Sequence, residues 1–468
     1  MQGKGRGRMK SDSGSFRDPW GSVFVMDGEI RRAVFGPGAG DYAGAKERGI
    51  YEGLIKKGLL IAHEERSPAG EGIPEGTVFC LSHPRLPMVS YPWEWTFSML
   101  KDGALLHLDV MEELLPRGYW LRDASAFNVQ FDGTRVLLID TLSLGERVPG
   151  SPWVAYRQFC SHFLAPLALA AWVDIRTLAL WRSYIDGYPL DLAAAILPWR
   201  ARYRPGLWMH LALHAAFQRK ADTKEDLDEG VGKKTPKVSD QGLIGLVRSL
   251  RRTTARLTWK GGESLWKSYG EIRTYTSEDV GHKSRFVSRA LDEVNPGTVW
   301  DLGANTGEYS ELAASRGAFV VSVDGDAACT ELIYRKLTKE KKLPVLPLTM
   351  DLANPSPGLG WDGTERLGLS DRGPADLVLA LALLHHLVLT GCVPLERVAR
   401  WLARLSAHLV VEFVPPGDPM VKKLLRNRDG EHLPYEEGAF RFGFMKFFDF
   451  LREETLPNGR RLFFCRKK

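Results

Sequence analysis

A short run in the second half of the chain, Asp301-Leu-Gly303-Ala-Asn305-Thr-Gly307, has the residue types and spacing of a ligand cradle. The apolar stretch before it, Thr298 to Leu302, reads as a strand, and Glu308 to Ala314 after it reads as a helix. Glycines at such a turn let the backbone fold tightly and come close to a ligand, while the first turn of the helix offers free N–H groups. The next apolar stretch ends in Val-Ser-Val-Asp324, which puts a carboxylate where it can accept both hydroxyls of a ribose. Nicotinamide-binding turns share that acid, but they begin with a glycine where this one begins with Asp301. A carboxylate there opposes a pyrophosphate and suits a cationic sulfonium and amino group, so the chemistry favours S-adenosylmethionine.

The run Asp301 to Gly307 resembles the first motif of class I S-adenosylmethionine-dependent methyltransferases. By that resemblance Asp301, Gly303 and Gly307 line the methionine part of the cofactor, Asn305 is a further cofactor-binding residue of the turn, and Asp324 holds the ribose. Asp351, after a third predicted strand over 345–350, matches the acid that contacts the adenine amino group, with Leu352 as the apolar neighbour under the ring. The stretch from Asp376 to His385-His386 resembles the family's fourth strand, whose carboxyl end faces the substrate. Methyl transfer requires an in-line approach and, for a neutral acceptor, removal of a proton. His385, His386 and Glu412 are the candidate bases, with Asp418 beyond them. A packed histidine pair and a structural carboxylate at a strand end fit the same positions. The loop Asn354-Pro-Ser-Pro-Gly-Leu-Gly-Trp361 reads either as a lid or substrate wall, or as a rigid turn around a packed tryptophan.

A second constellation lies in the first half. In Trp120-Leu-Arg-Asp123-Ala-Ser-Ala-Phe-Asn128, followed by a glycine turn and an apolar strand ending at Asp140, two carboxylates and an amide take fixed spacings. It resembles the catalytic and metal-binding loops of protein kinases and aminoglycoside phosphotransferase-like enzymes. That likeness implies Asp123 as base and Asn128 and Asp140 as ligands of magnesium on Mg-ATP. Leu121 stands where histidine is usual, Thr141-Leu142 replaces Phe-Gly, and no Val-Ala-Ile-Lys strand lies upstream. The expectation is therefore a degenerate kinase-like module that binds a ligand or positions the substrate, the bland alternative being a hairpin with turn-forming Asp and Asn.

Length, charge and alternation of elements bound the rest. A chain of 468 residues calls for about two domains. The expected division is a basic tail over 1–15, a kinase-like α+β domain over 16–218, a charged linker over 219–242, and a Rossmann-like α/β methyltransferase domain with a helical extension over 243–468. Further strands are expected over 376–381 and 408–413, with helices over 326–337 and 395–405. A net charge of +6 is too small an excess to demand nucleic acid, and the run Arg248 to Arg256 reads as a solvated helical face. The expected acceptor is a small molecule, glycan or lipid-linked intermediate; Mg-ATP-dependent phosphotransfer and RNA or DNA methylation are the competing functions. Five scattered cysteines, no signal peptide and no span-length apolar helix point to the cytoplasm. The whole arrangement is similar to bacterial methyltransferases of the rhizobial nodulation type.

Overall fold

The computed structural model describes residues 9–213, 237–261, 276–340, 343–426 and 434–468. The first half begins with five strands, β1 (Lys10–Ser11), β2 (Gly21–Met26), β3 (Glu29–Phe35), β4 (Glu64–Arg66) and β5 (Thr77–His83), in one antiparallel sheet of order β1-β2-β3-β5-β4. Helices Gly36–Glu47 and Ile50–Lys56 lie between β3 and β4. A longer helix, Phe97–Leu114, starts where the Thr96 hydroxyl accepts from the Met99 amide and buries Met99, Leu100, Ala104, Leu108 and Met111 on its apolar face. Next come β6 (Tyr119–Leu121), β7 (Val129–Asp132), β8 (Arg135–Leu138) and β9 (Leu144–Glu146), paired β6 with β9 and β7 with β8. From Tyr156 to Leu213 the chain is a series of short helices joined by turns.

Two expectations about this half change. Residues 9–15 are not a loose tail, because Lys10 and Ser11 pair with Val25 and Phe24. The helix Asp240–Arg256, assigned from sequence to the second domain, packs instead on Phe97–Leu114. Its stripe Leu243, Val247, Leu250 and Thr254 is buried there, and Arg147–Asp240, Arg251–Asp109 and Lys101 to the carbonyls of Ala255 and Leu257 tie down its polar flanks. Dense charge on its outer face hid that stripe. Residues 219–236 of the expected linker lie outside the described residues.

The second half is a Rossmann-like α/β unit. Its strands are β10 (Thr298–Leu302), β11 (Phe319–Asp324), β12 (Val345–Thr349), β13 (Ala375–Ala380), β14 (Ser406–Phe413), β15 (Phe448–Thr455) and β16 (Arg461–Lys467). They form one sheet of order β12-β11-β10-β13-β14-β16-β15, the first five parallel and β16 antiparallel to its neighbours. From β10 the chain winds outward through β11 and β12, then returns to lay β13 on the other side of β10. That reversal opens a crevice at the carboxyl ends of β10 and β13.

The two halves share one apolar core, in which Trp93, Trp95 and Phe131 meet Tyr334, Met350 and Leu369. At its centre Arg372 donates to Glu94 through both terminal nitrogens, at 2.8 and 2.5 Å, and to the Val89 carbonyl at 2.8 Å. The two side chains are 2% and 0% exposed. Around them Trp93 Nε1 donates to Ser356 Oγ, Tyr91 Oη accepts from the Leu367 amide, Tyr334 donates to Asp102, and Glu331 accepts from Ser98 and Arg335. Removing one partner of a buried pair strands the other charge, at a cost of about 3–5 kcal/mol, whereas replacing both with apolar groups is often tolerated. We therefore expect Glu94→Ala to lower the urea midpoint sharply and the double variant Glu94→Leu, Arg372→Met to recover most of the loss. Single variants that unfold at the wild-type midpoint would show the pair to be dispensable.

Candidate functional site

The turn from β10 into the helix Glu308–Ala314 lies in the crevice. Gly303, Asn305 and Gly307 have φ of 81°, 49° and 85°, a left-handed backbone that glycine adopts freely and asparagine better than most residues. A Cβ on Gly303 would lie 3.5 Å from Leu383 and 3.9 Å from the Leu381 carbonyl, so its absence leaves backbone facing the crevice wall. Beneath the turn, Asp301 is buried and accepts from Ser310 Oγ at 2.6 Å, with Ser322 Oγ 3.0 Å from that same hydroxyl. Burial pushes the Asp301 carboxyl up to about 6, against the Ser310 hydrogen bond and the Lys283 charge that hold it down.

Asp324 ends β11 at the rim. Its Oδ2 accepts from the Asn305 amide at 2.7 Å and its Oδ1 from the Asp326 amide at 2.8 Å, which aims the carboxylate across the turn. Each oxygen keeps a lone pair for a further donor. Beyond β12, Asp351 is exposed and Leu352 is buried beside it. The crevice thus presents glycine backbone, a rim carboxylate and, farther along, an apolar contact next to an acid. This donor set fits the amino-acid, ribose and adenine parts expected of S-adenosylmethionine.

The two histidines follow β13 and diverge. His385 is buried and its Nδ1 has no hydrogen-bond partner among the described residues. Burial, helped by His386, Arg460 and Lys283, pushes its pKa down to about 3, so the ring is neutral and weakly basic. His386 is exposed, its ring centroid 4.3 Å from that of His385; partial burial lowers its pKa, against the nearby Asp324 charge. Glu412 is fully buried at the end of β14, with Lys283 Nζ 2.7 Å from Oε2 and Arg460 Nη1 3.5 Å from Oε1. Arg460 also holds Asp418, whose Oδ1 caps the helix Pro419–Leu425. A proton taken by Glu412 would remove the charge facing the buried Lys283 ammonium, which opposes its expected role as base.

Lys283 and Arg460 were not foreseen. Lys283 does carry a signal, since it sits on the apolar stripe Lys283, Phe286, Val287, Ala290, Leu291 of the helix Ser277–Val294, where a charge needs a buried partner. The loop after β12 is pinned to the first half at Ser356 and at the Asn354 carbonyl, reached by Arg182, while Trp361 is exposed rather than packed.

In the first half Asp123, Asn128 and Asp140 do converge. Burial foremost, then the Asp140 charge, raises the Asp123 carboxyl, against the amides of Asn128 and Gln158. Asp140, however, is paired with the Arg32 guanidinium from β3 and caps the Leu142 amide at 3.0 Å. A magnesium ion on Asn128 and Asp140 would have to displace the Arg32 guanidinium from Asp140.

The Asp301 carboxyl makes folding depend on pH. A folded-state pKa near 6, above the ordinary 3.8, means that stability is fully present below pH 3.8 and lost as pH rises through 6, by on the order of 3 kcal/mol. In Asp301→Asn that loss should vanish, so the variant gains on the wild type between pH 4.5 and 7, read from unfolding midpoints at each pH. Parallel pH profiles would place the Asp301 titration elsewhere.

Comparison with known proteins adds three kinds of finding. No family model matches the chain. The nodulation protein NoeA of Rhizobium meliloti (strain 1021) is 33% identical over 453 residues, covering 96% of this chain and 94% of that protein. Among solved structures, the magnesium protoporphyrin IX methyltransferase ChlM of Synechocystis PCC 6803 with bound SAH is 21% identical, with a TM-score of 0.32, over 45% of this chain and 95% of its own. The N-methyltransferase NodS of Bradyrhizobium japonicum WM9 is 11% identical, with a TM-score of 0.31, over 41% and 97%. The bifunctional kinase-methyltransferase WbdD is 16% identical, with a TM-score of 0.29, over 40% and only 38%. Likenesses this slight transfer no function.

Proposed function

We infer that this chain, which belongs to the family of the nodulation protein NoeA, transfers a methyl group from S-adenosylmethionine to a small molecule, glycan or lipid-linked intermediate. The observation that carries the reading is the convergence of the Gly303 backbone, the buried Asp301 and the rim carboxylate Asp324 in the crevice between β10 and β13. When bound, the cofactor supplies an electrophilic methyl group on a sulfonium. Asp324 takes the ribose hydroxyls, Asp351 and Leu352 receive the adenine, and the Asp301 carboxylate beneath the turn favours a cation above it. Removal of the acceptor proton falls to His386, which is exposed, since His385 is enclosed and Glu412 is tied to Lys283 and Arg460.

The first half, on this reading, holds the crevice and the acceptor in place. Phosphotransfer from Mg-ATP is disfavoured by the Arg32–Asp140 pair. Five free cysteines, four of them buried, support a reducing compartment such as the cytoplasm. Among the described residues no helix is long and apolar enough to cross a membrane.

Calorimetric titration tests the reading directly. S-adenosylmethionine should bind at micromolar concentrations, and Asp324→Ala should weaken binding roughly 10- to 100-fold, the worth of hydrogen bonds to a charged group. ATP with magnesium should give no heat. Binding of ATP alone, lost in Asp140→Ala, would overturn the proposal and make the first half the active one.

A further inference from the structure

The segment 196–209 turns an unusual face to solvent. Trp199 and Tyr203 are 68% and 69% exposed, and Ile196, Trp208 and Met209 are also exposed. Large apolar side chains rarely gather on a free surface unless the surface is used. They are aligned here. The Tyr203 amide donates to the Trp199 carbonyl at 3.1 Å and the Trp208 amide to the Arg204 carbonyl at 2.8 Å. Residues four apart across a helical turn share a face, so Trp199 stands beside Tyr203; the chain is extended at Arg204, and a second short turn, Pro205–Leu207, leads into Trp208.

The charge is one-sided. From 192 to 221 the sequence contains no Asp or Glu. Arg200 and Arg204 lie against the rings of Trp199 and Trp172, at 5.3 and 4.5 Å, with both arginines exposed. The helix Asp240–Arg256 is held alongside, with Ser249 Oγ 3.0 Å from His210 Nε2 and Thr253 directly under Gly206. Arg252 and Arg256, one and three positions from Thr253, are exposed on its outer side. Indole and phenol rings favour the boundary between water and hydrocarbon, and arginines beside them meet anionic headgroups. A nucleic acid is a poorer fit, since affinity for a phosphate backbone comes from many Lys and Arg contacts, whereas this face leads with Trp199, Tyr203, Trp208, Met209 and Ile196.

We propose that this face docks peripherally on an anionic lipid bilayer, with Trp199, Tyr203, Trp208 and Met209 entering the headgroup layer and Arg200, Arg204 and Arg252 facing lipid phosphates. The contact is independent of the methyl-transfer crevice. It would give the molecule an approach to substrates held at a membrane.

The test is co-sedimentation of the full chain with vesicles of phosphatidylcholine alone and of phosphatidylcholine mixed with phosphatidylglycerol, with tryptophan emission recorded in parallel. Binding to the anionic vesicles only, with a blue-shifted emission, is the expected result. At about 1 kcal/mol per basic residue near such a surface, Arg200→Gln with Arg204→Gln should lower partitioning roughly 25-fold. Trp199→Ser with Tyr203→Ser should reduce the emission shift, and adding Trp208→Ser should abolish it. Both pairs are exposed, so thermal midpoint and S-adenosylmethionine binding should stay at wild-type values. Absence of binding, equal binding to neutral vesicles, or tighter binding to single-stranded RNA than to the anionic vesicles would each overturn the proposal.

Discussion

The ion pair between Arg372 and Glu94 lies buried in the core that the two halves share. Glu94 does more than neutralise a charge, because its Oε2 also accepts from the Tyr91 amide and so fixes the segment that carries Tyr91 and Trp93. Arg372 lies over the Tyr91 ring at 5.0 Å and closes the loop that leaves β12 past Asp351. The far end of the crevice is thereby positioned by residues from the first half. A crevice in an open α/β sheet is otherwise bounded by its own loops, which are mobile connections. Here the loop past β12 is clamped at Ser356, Leu367 and Arg372.

On the opposite side of the crevice the polar groups neutralise one another in sequence. Glu412 lies between Lys283 and Arg460, and Arg460 lies between Glu412 and Asp418. Such a chain tolerates burial because each charge has a counter-charge at contact distance. It also sets the basicity of its neighbours, since Arg460 and Lys283 add to the effect of burial in depressing His385. Two adjacent histidines consequently have different chemistry, one neutral and enclosed, the other open and next to Asp324.

Much of the second half was legible because its signals are local. The strand over 298–302 and the helices over 308–314 and 395–405 fall where periodicity put them, and the glycine turn is recognisable from residue type alone. The carboxyl-terminal hairpin of β15 and β16 was missed. Its outer strand β15 alternates exposed and half-buried residues with charges on both faces, so no clean period of two appears. Interfaces were hidden for a different reason. Glu94 and Arg372 are 278 positions apart, and nothing in either neighbourhood names the other. The Asp240–Arg256 helix shows the same limit, since amphipathic spacing reveals that a face is buried but not against what. The roles of His385, His386 and Glu412 depended on contacts of this long-range kind, whereas the turn from Asp301 to Gly307 did not.

The separation of Glu94 from Arg372 also sets a timetable for synthesis. Translation proceeds at roughly 5–20 residues per second, so 278 residues correspond to roughly 15–55 s between the appearance of the acid and that of its partner. Through that interval a first half that folded as it emerged would present Tyr91, Trp93 and Glu94 with no second half to cover them. The same carboxylate that later locks the assembly is then a solvated charge amid an aromatic surface, which disfavours premature sticking of one nascent chain to another. Delay in translating the second half would therefore prolong exposure of this surface.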